Sequence, residues 1–122
     1  MLYTGYFAKT KKYEEAGLTP VSVALVTPLF FKGPKWSFFA PRKQLLDAYK
    51  ADEITQEQFS TYYTNNLEAT INTELQKKLR YTIGKHNIVM LCYEKSGDFC
   101  HRKILADWLI KKLDIKVDEY TI

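Results

Sequence analysis

Apolar residues recur along this chain in two rhythms. Short runs, dense in aromatic and β-compatible residues, read as strands: Leu2 to Phe7, Pro20 to Val26, Asn87 to Glu94, and a more polar run from Ile115 to Tyr120. The continuous apolar stretch Ile88 to Leu91 suits a strand covered on both faces, and the polar last run suits an edge. Gly5 interrupts the first run, which predicts a bend or the close approach of another group. Other segments follow the helical period. Thr55 and Gln58 form a capping-box pattern ahead of Phe59, Tyr62, Tyr63 and Leu67. Ile71, Leu75 and Leu79 repeat every fourth position, with Gly84 expected as the stop. A last helix is expected from about Phe99 to Leu113.

Strands separated by helices predict an α/β fold: a single-domain sandwich over residues 1–122, with a small, mostly parallel sheet flanked by helices. The strand, helix and strand from Asn87 to Tyr120 form one crossover unit, so its two strands should run parallel. The segment "TPLFFKGPKWSFFAPRK" fits neither rhythm. It holds three prolines and five aromatic residues and leaves the C-terminal end of the second strand, where open α/β sheets bind ligands. A flap over core and a wall of a site both fit it.

Composition narrows the classes. A chain of 122 residues that is 46% hydrophobic can bury a core. No apolar run reaches the roughly 18 residues of a membrane helix. The start "MLYTGYFAKTKKYEE" lacks the basic opening and long apolar core of a signal peptide, so a cytoplasmic protein is expected. A net charge of +4 permits attraction to phosphate groups but is thin support for a nucleic-acid binder. Cys92, Cys100, His86 and His101 lack the spacing of a zinc finger or ribbon, so no metal site is expected.

The chemistry gathers in "LCYEKSGDFCHRKILADWL". Cys92 and Glu94 stand at a strand end, "KSGD" is turn chemistry, and Asp98 is a good helix cap. Cys100 and His101 then become the second and third helical residues. At about 100° per residue, His101 and Arg102 point with Leu105, Trp108 and Leu109 toward the sheet, while Lys103, Asp107 and Lys111 face water. Cations at a helix N-terminus cost about 0.3–1 kcal/mol each unless an anion joins them. Glu94, Asp98 and a bound phosphate or carboxylate are the candidates. A thiol in the first turn beside His and Arg is in a setting that lowers its pKa.

These residues resemble the signature of the family known as domain of unknown function 488: Leu91, Cys92, Glu94 and Lys95, a turn, then Cys100, His101 and Arg102 before an apolar helix. "LYTGYFAK" is similar to that family's first strand, and "APRKQLLDAYK" to a segment of its smaller bacterial and phage members. Larger members carry Asp-Val-Arg at the end of the second strand, where this chain has Val26, Thr27 and Pro28. The resemblance implies the fold and the site, and no substrate.

Two functions are carried forward. One is a pocket for a phosphate-bearing small molecule, nucleotide-like, with Arg102 and helix N–H groups on the anion. In it Glu94, Cys92, Tyr6, Lys35 and Trp36 line the ligand, Tyr6, Trp36 or Phe39 stack on a base, and Cys100 and His101 serve as nucleophile and acid–base. The other is a non-catalytic protein, a phage or bacterial factor that blocks a partner through the loop from Phe30 to Arg42. Paired redox or metal chemistry by Cys92 and Cys100 is a weaker third. Cofactor and oligomeric state are not legible.

Overall fold

The computed structural model describes residues 1–93 and 101–121. It is an α/β fold built on one sheet of order β2-β3-β1-β4 with every pairing parallel. The strands are β1 Leu2–Tyr6, β2 Thr19–Ser22, β3 Ile88–Cys92 and β4 Val117–Glu119. The helices are α1 Thr10–Glu15, α2 Lys43–Lys50, α3 Gln56–Thr70, α4 Thr73–Lys85 and α5 His101–Leu113. The four expected strands all form, and the polar last one does lie at an edge.

Period two along β3 assigns the faces. Ile88 and Met90 pack with Leu105, Trp108 and Leu109 of α5 and with Phe59, Tyr63 and Leu67 of α3. Val89 and Leu91 pack on the other side with Tyr13 of α1, Phe7 and Phe31. Helices therefore cover both faces, as the run Ile88 to Leu91 requires. Gly5 is explained by the second face. A Cβ there would lie 2.5 Å from the Tyr13 hydroxyl oxygen, so glycine alone admits that ring. The Tyr6 N–H donates to the same oxygen at 3.2 Å.

Local signals hold where the chemistry is local. Thr55 and Gln58 make the reciprocal capping box. Asn72 caps α4 by accepting from the Leu75 N–H at 2.8 Å. Gly84 does not stop α4. The helix runs through it to Lys85, and Gly84 lacks the positive φ of a glycine cap. β2 is shorter than its apolar run. The buried Ser22 hydroxyl accepts from the Ala24 N–H at 3.3 Å and bonds the Thr27 hydroxyl at 2.8 Å, which turns the chain away after Val23. Helices α1 and α2 were not anticipated. α1 carries one buried residue, Tyr13, and so shows no periodicity to read.

Candidate functional site

β1 connects through α1 to β2 on one side, and β3 connects through α5 to β4 on the other. The two connections leave adjacent strands in opposite directions, toward opposite faces. The C-terminal ends of β1 and β3 thus form a topological switch point, the crevice where open α/β sheets bind ligands. Tyr6 and Cys92 are paired in register at that end. The first two residues of α5 straddle it, and both are buried, His101 at 6% and Arg102 at 3% exposure.

His101 reaches toward β2 and β3. Its Nε2 lies 2.8 Å from the Val23 carbonyl oxygen. A carbonyl only accepts, so Nε2 carries the proton. In the neutral ring Nδ1 is then an acceptor, and it faces the Cys92 Sγ at 3.4 Å. Tyr63 meets the imidazole edge-on, with centroids 5.5 Å apart. The ring is oriented on one side, packed on another, and aimed at a thiol on the third.

Arg102 reaches toward β1 and β4. Its Nε and Nη2 donate to the two carboxylate oxygens of Glu119 at 3.2 and 3.0 Å. Glu119 lies opposite Thr4 in the β1–β4 register, and the Thr4 hydroxyl donates to the same carboxylate. The guanidinium carbon sits 5.9 Å from the centre of the Tyr6 ring. A buried cation needs a charge partner. The expected internal candidates were Glu94 and Asp98, and Glu119 was missed. The signal for it was present. In β4, Val117 is buried, Asp118 exposed and Glu119 half-buried, so period two turns an acid inward.

The structure gathers Tyr6, Cys92, His101 and Arg102 at one rim, together with Val23, Thr4 and Glu119. It does not draw Lys35 and Trp36 into that cluster. Ser22 of β2 donates to Pro34 and accepts from the Trp36 N–H at 2.8 Å, which makes a parallel bridge between Ser22 and Lys35. Those residues therefore lie outside β2, at the edge of the sheet away from Glu119. The Trp36 ring stacks on Phe38 and packs against the core. Phe39, at 1% exposure, is core and cannot stack on a ligand, and Tyr63 bonds its carbonyl. Glu94, Asp98 and Cys100 fall in the segment 94–100, outside the described residues. Among the described residues no three metal-ligating groups come together, and no helix is long and apolar enough to cross a membrane.

A family model described as "Domain of unknown function DUF488" matches residues 36–109, which takes in β3 and most of α5. No curated protein and no solved structure matches the chain.

Proposed function

The chain belongs to the DUF488 family, and we propose that in this member the rim of the sheet binds a phosphate-bearing, nucleotide-like small molecule. One observation carries the reading. The first two residues of α5 are a buried imidazole and a buried guanidinium, and they straddle the switch point between β1 and β3. Glu119 and Thr4 fix the position of the guanidinium beside the Tyr6 ring, which supports a rim that carries a pre-positioned cation. The Cys92–His101 contact supports cysteine chemistry at the same place, with His101 taking the thiol proton. Cys100 stays a second candidate nucleophile in this reading.

A thermal-shift panel of nucleotides and sugar phosphates tests the proposal. At least one compound should raise the melting temperature of the wild type. Arg102→Lys keeps the charge but loses the planar fork, and should abolish that shift. A panel in which no phosphate compound moves the wild-type melting point would sink the reading.

A further inference from the structure

The opposite face of the sheet carries a second concavity. A groove of about 770 Å³ opens between α1 and the loop after β2. Its volume is within the range of small-molecule pockets. Phe7, Phe31 and Pro20 form an apolar floor, and the two phenyl rings meet edge to face with centroids 5.5 Å apart. Gly33 keeps that floor intact. A Cβ there would lie 2.6 Å from the Phe31 ring and 2.9 Å from the Pro20 carbonyl oxygen. Phe30 stands at the lip, 62% exposed. The polar wall holds Lys11, Lys32 and Glu14, an excess of one positive charge. None of these three takes part in an ion pair among the described residues.

We propose that this groove binds a planar aromatic molecule bearing one anionic group, an aromatic carboxylate or sulfonate. The ring lies against Phe31 and Pro20 under Phe30, and the anion faces Lys11 and Lys32. The site is separate from the rim. Phe7 lines the groove on the α1 face, while Tyr6, the preceding residue, turns its ring to Arg102 on the other. Binding here stands or falls independently of the phosphate site.

The test is a titration of the full chain with 2-naphthoate and with uncharged 2-naphthamide, followed by amide chemical shifts. Saturable shifts at Phe7, Lys11 and Phe31 to Gly33 are expected, with naphthoate the tighter ligand. The double charge reversal Lys11→Glu, Lys32→Glu should weaken naphthoate at least tenfold and naphthamide less than twofold. Phe30→Ser should weaken both. Three outcomes would overturn the proposal: no saturable binding of either probe, naphthoate affinity unchanged by charge reversal, or shifts that map to His101 and Arg102. Shifts in this groove that depend on protein concentration without ligand would assign it to a second copy of the chain and overturn it as well.

Discussion

Arg102 is 3% exposed, so its charge must be answered inside the protein. Glu119 answers with both carboxylate oxygens, across 17 residues of sequence. Glu119→Gln removes the negative charge and leaves one acceptor oxygen, so one of the two bonds to Arg102 is lost. It should lower stability by about 1.5–3 kcal/mol in urea unfolding, the range for hydrogen bonds to charged groups. The same variant takes a negative charge from the rim. Because Glu119 also fixes the guanidinium, the affinity for the responding nucleotide should fall along with the stability, read by titration calorimetry. Gly5 makes a separate claim at this scale. Gly5→Ala forces a methyl into the Tyr13 ring, and overpacking of this kind costs about 1–3 kcal/mol. Tyr13→Leu in the same background should recover part of the loss by clearing the hydroxyl.

Helix docking sets the next scale. α3 and α5 are clamped by Glu68, which accepts from Trp108 Nε1 at 2.8 Å and from Lys112 Nζ at 3.0 Å. The Lys112 bond first, then the Trp108 bond, holds the Glu68 carboxyl below its ordinary 4.5. A carboxyl depressed in the folded state adds stability above its unfolded pKa and loses it as pH falls through the folded pKa. The stability gap between wild type and Glu68→Gln should therefore be present at neutral pH and close on acidification below the ordinary value, measured by urea unfolding at a series of pH values. The cap of α3 was legible because Thr55 and Gln58 meet within one turn, and Thr55→Ala should cost about 1 kcal/mol. α1 was not legible. Six residues with one buried ring carry no period, and only the sheet beneath Tyr13 makes them a packed helix.

At the scale of the molecule, β3 is the axis. It pairs on both edges, and its five residues are buried between α5 and α1. Its amides should exchange with solvent most slowly, near the global unfolding free energy, while those of β4 exchange faster. A hydrogen-exchange map with β4 as well protected as β3 would contradict that order. By itself, the sequence determined the strands, the covered character of Ile88 to Leu91, the capping box, and the turn of His101 and Arg102 toward the sheet. Each of these follows from period or from neighbours within one helical turn. Only the tertiary structure decided the strand order β2-β3-β1-β4. That order brings the Val23 carbonyl to His101, puts Glu119 beside Thr4 beneath Arg102, and leaves Lys35 and Trp36 at the far edge. The physical reason is that hydrophobic period says which face of an element is buried, whereas the partner it meets there depends on crossovers that close only when the whole sheet assembles.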